Sequence, residues 1–179
     1  MEAIFDRIIV LVLIGFGGVL LSRKKLMVSR LIEQTFIAFI ILGYSSINYI
    51  KEDYPIRIII MIIVIVSCVC LTKRRYTIYN VYIKDILFLI NDILSKIDIR
   101  YVNKDNDIIL ENAKIKLKES IGCVEINFSE IKDKQLYSKI KNEIKSRLNT
   151  IDKKIFPFAG MIYSILGIVV TLSIYCVSK

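Results

Sequence analysis

The chain has 179 residues, enough for one ordinary domain or for a small domain with a few membrane helices. It is 55% hydrophobic, with a mean hydropathy of +0.56, and still 24% charged. A water-soluble domain rarely combines those values, and segregation resolves the conflict: long uncharged blocks alternate with blocks dense in Lys, Asp and Glu. The net charge of +9 divides unevenly. Residues 72–154 hold 18 basic and 12 acidic residues, a modest and interspersed surplus. No Arg-rich run interleaved with aromatics occurs, which argues against nucleic acid as a partner. Isoleucine, lysine, asparagine and tyrosine are frequent and tryptophan is absent, the usage of an AT-rich, bacterial genome.

The uncharged blocks are Ile8–Ser22, Gln34–Ile50, Ile58–Thr72 and Ile155–Ser178, of 15, 17, 15 and 24 residues. A spanning helix needs about 20 residues, with a lower limit near 17. Arg7 and Arg57 lengthen the short blocks if they snorkel to the rim. The expectation is three transmembrane helices within 1–72 (about 5–22, 33–50 and 56–72) and a fourth in 155–179. The first block resembles a signal peptide in length, but Ser22-Arg23-Lys24-Lys25 stands where a cleavage site belongs, so a retained helix is expected. Lys and Arg set the orientation. Arg23, Lys24, Lys25 and Arg30 follow the first block, and Lys73, Arg74 and Arg75 follow the third. Lys51 and Arg57, in the second loop, are offset by Glu52 and Asp53. Lys153 and Lys154 precede the fourth block, and Lys179 follows it. This predicts a multi-pass protein of the cell membrane with both termini outside and the middle domain in the cytoplasm.

Small residues recur at helix-packing spacing: Gly15, Gly18 and Ser22 in the first block, and Gly160, Ser164, Gly167 and Thr171 in the last. Packing between the chain's own helices is preferred to a homo-oligomer interface. Gln34, Ala38, Ile41, Ser45 and Asn48 form a polar stripe on one face of the second block. No charge lies deep in any block, so the marker of a proton or ion relay is missing.

After Arg75 the periodicity changes. Residues 76–80 alternate as a strand. Ile83, Ile86, Ile90, Ile93 and Ile97 share a helical face with Leu87 and Leu94 beside them, and Asn80 is the expected N-cap. Strands follow at 99–102 and 107–111. Two more alternate cleanly, with Ala113, Ile115 and Leu117 and then Val124, Ile126 and Phe128 inward. A last amphipathic helix carries Leu136, Ile140, Ile144 and Leu148. The order β-α-β-β-β-β-α over 73–154 predicts a two-layer α+β domain with an antiparallel meander. Lys139, Lys141, Lys145 and Arg147 on its final helix could meet anionic lipid headgroups or simply water.

Histidine is absent, which removes Ser-His-Asp and Cys-His catalysis and imidazole ligation. No phosphate-binding glycine loop occurs. Asn103, Asp105 and Asp107 imitate a calcium loop, but the turn glycine is missing and Lys114 stands where a bidentate Glu belongs, so a hairpin is expected. Glu125, Glu130 and Cys123 are the residues on which carboxylate or thiol chemistry would have to rest, and nothing in the sequence marks them as a site. Cysteines 68, 70, 123 and 176 form no disulfide framework. Cys68 and Cys70, two apart on a helix, point about 200° away from one another. No catalytic, cofactor-binding or metal-ligating residue is assigned. The resulting expectation is an α-helical membrane protein with an inserted α+β domain, a non-enzymatic regulatory or accessory subunit binding a protein or ligand at the membrane surface. Its expected partners are the lipid bilayer and a protein or second copy of the chain. A small oligomeric channel is the alternative.

Overall fold

The computed structural model describes residues 2–38, 54–152 and 155–177. In chain order these hold α1 (Glu2–Leu21), β1 (Leu26–Ser29), a helix α2 whose described part is 30–38, α3 (Tyr54–Thr72) and β2 (Arg75–Tyr79). Then come α4 (Ile83–Lys96), β3 (Tyr101–Lys104), β4 (Asp107–Leu110), β5 (Lys114–Ser120), β6 (Cys123–Asn127), α5 (Lys134–Arg147), a 3-10 turn (Leu148–Thr150) and α6 (Phe158–Val177). The six strands form one antiparallel sheet in the order β1-β2-β6-β5-β4-β3.

β2, three of the four strands expected after it and the two amphipathic helices lie close to where their periods put them, whereas β3 is Tyr101–Lys104, two residues beyond the expected 99–102 and running into the expected turn. Every second strand residue must turn to the same side, so Ile78, Ile108, Ile115, Leu117, Val124 and Ile126 form one apolar sheet face. Upon it lie Ile83, Ile86, Leu89, Ile90, Ile93 and Leu94 of α4, and Ile140 and Ile144 of α5. Burying each such side chain contributes about 1.5–3 kcal/mol, so this layer dominates the stability. Asp133 starts α5, its carboxylate accepting from the amides of Gln135 (2.8 Å) and Leu136 (3.3 Å). Asn80 does not cap α4: that position is Tyr82, without a side-chain cap bond. Asn80 is instead buried in left-handed backbone (φ 60°), and its Nδ2 donates to the carbonyls of Leu20 and Lys24, each at 2.9 Å. It thus donates to one carbonyl in the last turn of α1 and to one in the turn that follows.

α1 and α6 run antiparallel with their backbones in close approach. A Cβ on Gly160 would stand 2.7 Å from the Leu21 amide nitrogen, and one on Gly17 would stand 2.9 Å from that of Ser164. Gly167 faces Ile14 as closely. The small face of α6 is therefore used within the chain. On α1 the contact falls on Gly17, whereas Gly15 and Gly18 have open space beside them.

Two expectations are overturned. Among the described residues no helix is long and apolar enough to cross a membrane, so the multi-pass protein of the cell membrane and its outside–inside topology are not supported. In α1 the uncharged run begins only at Ile8 and ends with the helix at Leu21; at 1.5 Å per residue it reaches roughly 21 Å, against a hydrocarbon core of about 30 Å. The uncharged run of α3, from Ile58 to Thr72, falls short in the same way. One side of α6 is committed to α1, and Tyr163 to a carboxylate described below. The architecture is a mixed α/β fold on a six-stranded antiparallel sheet rather than four spans with an inserted domain.

The basic clusters read as topology markers have local roles instead. Arg23 (φ 60°) and Arg74 (φ 59°) each take the left-handed position between a helix and the strand that follows it. Arg74 also donates to the Ile131 carbonyl and lies 4.8 Å over the Tyr137 ring. Lys51, Glu52, Asp53, Lys153, Lys154 and Lys179 lie outside the described residues.

Candidate functional site

The second face of the sheet carries the densest polar constellation. In β2, Thr77 and Tyr79 alternate with Tyr76 and Ile78 and so point away from the main core. The register places Tyr79 opposite Cys123 and Thr77 opposite Glu125 on β6, and opposite Leu26 and Val28 on β1. A smaller apolar cluster forms here from Leu20, Tyr79 and Ala159, with Phe16, Leu26, Val28, Cys123 and Tyr163 around it. Phe16 meets Tyr79 and Tyr163 edge to face, at 5.8 and 5.1 Å between ring centroids.

Glu33 of α2 closes this cluster. Thr77 Oγ1 donates to its Oε2 at 2.7 Å, while the Tyr79 hydroxyl (2.5 Å) and the Tyr163 hydroxyl (3.2 Å) donate to its Oε1. One carboxylate thereby joins α2, β2 and α6. One turn earlier on α2, Arg30 forms an ion pair with Glu125 of β6. Residues three apart on a helix share a face, so both ionic groups of α2 point at the same part of the sheet.

The electrostatics follow from burial. Desolvation, and next the bond to Glu33, push the Tyr79 hydroxyl far above its ordinary pKa. Tyr163 is raised mainly by desolvation. Both remain neutral donors in the physiological range. The Cys123 thiol is raised by burial first and by the Glu33 charge second, which opposes formation of a nucleophilic thiolate. The Arg30 guanidinium is raised chiefly by its bond to Glu125, which holds it charged. The carboxylate oxygens of Glu33 are occupied by the chain's own donors, so the arrangement suits holding elements together.

Glu125 pairs with Arg30, and Glu130 with Lys116 at 2.7 Å, so each has its own cation and the two share no site. Asp105 (φ 56°) turns the β3–β4 hairpin, and Lys114 pairs with Asp107 at 2.7 Å, putting an ammonium beside the imitation calcium loop. Among the described residues no group of His, Cys, Asp and Glu could hold a metal. Gln34 and Ala38 lie on α2, whereas Ile41, Ser45 and Asn48 of the polar stripe lie outside the described residues. Cys70 and Cys176 are exposed. Arg147 turns from the basic face of α5 to Asp92 (2.6 Å) and Glu143 (2.9 Å).

Glu33, Arg30, Thr77, Tyr79 and Tyr163 escape a reading of the sequence because Arg30 and Glu33 sit at the rim of an apolar block. The available signals were the i, i+3 spacing of two opposite charges and the polar parity of Thr77 and Tyr79. Comparison with protein-family models, with curated proteins and with solved structures finds no match.

Proposed function

We propose that this chain is a non-enzymatic accessory or regulatory subunit that docks to a protein partner through the apolar outer faces of α1, α3 and α6. The observation that carries the reading is the extent of those faces. Leu11 and Val12 on α1, Ile59, Ile62, Ile63 and Val66 on α3, and Ile165, Ile168 and Leu172 on α6 are all exposed, Leu11 to 71%. Isolated exposed apolar residues are ordinary, but runs of them along each of three helices mark interaction surfaces. The constellation around Glu33 supports the same reading, since both its oxygens already accept from the chain's own hydroxyls.

A photo-crosslinking residue placed in turn at Leu11, Ile63 and Ile165 of the full chain tests this in the native host. The expected result is one defined adduct with the same partner protein from all three positions, and none from Lys139 or Glu119. Ile165→Glu should remove that adduct. Adducts with the chain itself, or with lipid together with flotation on vesicles of anionic phospholipid, would overturn the assignment to a protein partner.

A further inference from the structure

We propose that the edge of β3 is a docking strip for an extended acidic segment of a partner protein, which adds to the sheet as a further strand and sets carboxylates beside Arg100 and Lys104. This strip lies at the opposite end of the sheet from β1 and does not depend on what docks to α1, α3 and α6.

The sheet order leaves β3 with one neighbour. Among the described residues it pairs with β4 alone, from Tyr101 opposite Leu110 to Lys104 opposite Asp107. Alternate residues of an edge strand direct their amide and carbonyl groups outward, where a further strand can take them. β3 is also held in place to receive one, since Tyr101 packs against the main core and Asp105 (φ 56°) turns a tight hairpin into β4. The strip is open. Val102 is 66% exposed, and Arg100, Asn103 and Lys104 are exposed with it. Thr77 and Tyr79, on the same face of the sheet as Val102, are buried.

The charges select the occupant. Residues two apart in extended chain share a side, so Arg100, Val102 and Lys104 form a basic-apolar-basic row. The neighbouring cations on that face are engaged: Lys114 pairs with Asp107 and Lys116 with Glu130, each at 2.7 Å. Among the described residues no ion pair engages Arg100 or Lys104. Directly opposed side chains on adjacent strands stand about 4.5–5.5 Å apart, so opposite charges there stabilise a pairing and like charges oppose it. The complement of the row is therefore acidic-apolar-acidic at every second residue. A second copy of this chain does not supply it, because antiparallel pairing about Val102 sets each Arg100 against the other copy's Lys104. The row holds no aromatic ring on which a base could stack, which argues against single-stranded nucleic acid.

The probe is a fluorescein-labelled peptide, Ser-Glu-Thr-Val-Thr-Glu-Ser, titrated with the full chain and followed by fluorescence anisotropy. It should bind at least tenfold more tightly than the same peptide with Lys in place of both Glu. N-methylation of its three central residues, which blocks strand pairing and keeps the charges, should weaken it at least tenfold. Arg100→Glu combined with Lys104→Glu should reverse the preference, so that the Lys peptide binds and the Glu peptide does not. Where the double variant does not fold, Lys104→Gln, a change at an exposed side chain, should weaken the Glu peptide at least threefold. Absence of binding at the highest soluble peptide concentration overturns the proposal. So does an affinity that survives N-methylation, an unchanged preference in the charge-reversed variant, an unchanged affinity in Lys104→Gln, or displacement of the peptide by a lower concentration of a single-stranded oligonucleotide.

Discussion

On one side of the sheet, α4 and α5 are pressed down by a layer of isoleucine, leucine and valine in which almost no polar atom intervenes. On the other side, α1, α2 and α6 meet the strands through a small apolar cluster and a carboxylate ringed by hydroxyls. The same strand supplies both, since Ile78 points to the first and Tyr79 to the second. The contrast separates permanence from adjustability. A close-packed apolar layer has one low-energy arrangement, whereas a polar clasp can be undone by competing donors, acceptors or a displaced helix.

Substitutions that separate the two faces sharpen this contrast, and the largest effect belongs to the first. Ile90→Ala should cost about 2–5 kcal/mol in urea unfolding and loosen both faces, because the second has no sheet to stand on without the first. Next comes the α1–α6 contact. Gly160→Val places atoms against the Leu21 backbone and should cost about 1–3 kcal/mol, with lost exchange protection confined to the second face. Uniform loss across the molecule in that variant would break the contrast. Asn80→Ala removes the bonds to the carbonyls of Leu20 in α1 and Lys24 in the turn after it; about 1–3 kcal/mol should disappear, mostly from the end of α1. Asp133→Ala, which strips the N-cap of α5, should cost about 1 kcal/mol and leave the Glu33 cluster untouched.

The smallest effect is one of pH. Tyr79 and Tyr163 have folded values above that of an unfolded tyrosine, about 10, so above that point the unfolded chain loses protons that the folded one keeps. Their contribution is fully present below about pH 10 and declines as pH rises from there toward the folded values. Urea midpoints should fall more steeply between pH 10 and 11 for the parent than for Tyr79→Phe. Parallel curves would show that Tyr79 is not desolvated in solution.

The elements of 75–148 were legible because period 2 and period 3.6 are local properties: Lys114 to Lys118 alternate with Ile115 and Leu117 whatever surrounds them. β1 was not legible, since Leu26–Ser29 is four residues long and follows a basic turn, and its identity as a strand depends on finding β2 to pair with. The reading of Asn80 as a cap failed for a related reason. A side chain that donates to carbonyls 56 and 60 residues away, at and just beyond the end of α1, looks, in sequence, like one that serves the next helix.

The apolar blocks show the limit most clearly. Their composition called for removal from water and their glycines for close packing, and the sequence by itself determined both of those demands, along with the sheet's core face and the absence of imidazole chemistry. It did not determine what would meet them. The close approach of Gly160 to α1, the assignment of Arg23 and Arg74 to left-handed turns, and the gathering of Thr77, Tyr79 and Tyr163 about Glu33 were decided only by tertiary structure. The physical reason is range. Periodicity and capping act within a few residues, whereas the partners of the Glu33 carboxylate are chosen by which chain segments, here 44 to 130 residues apart, the fold brings to one place.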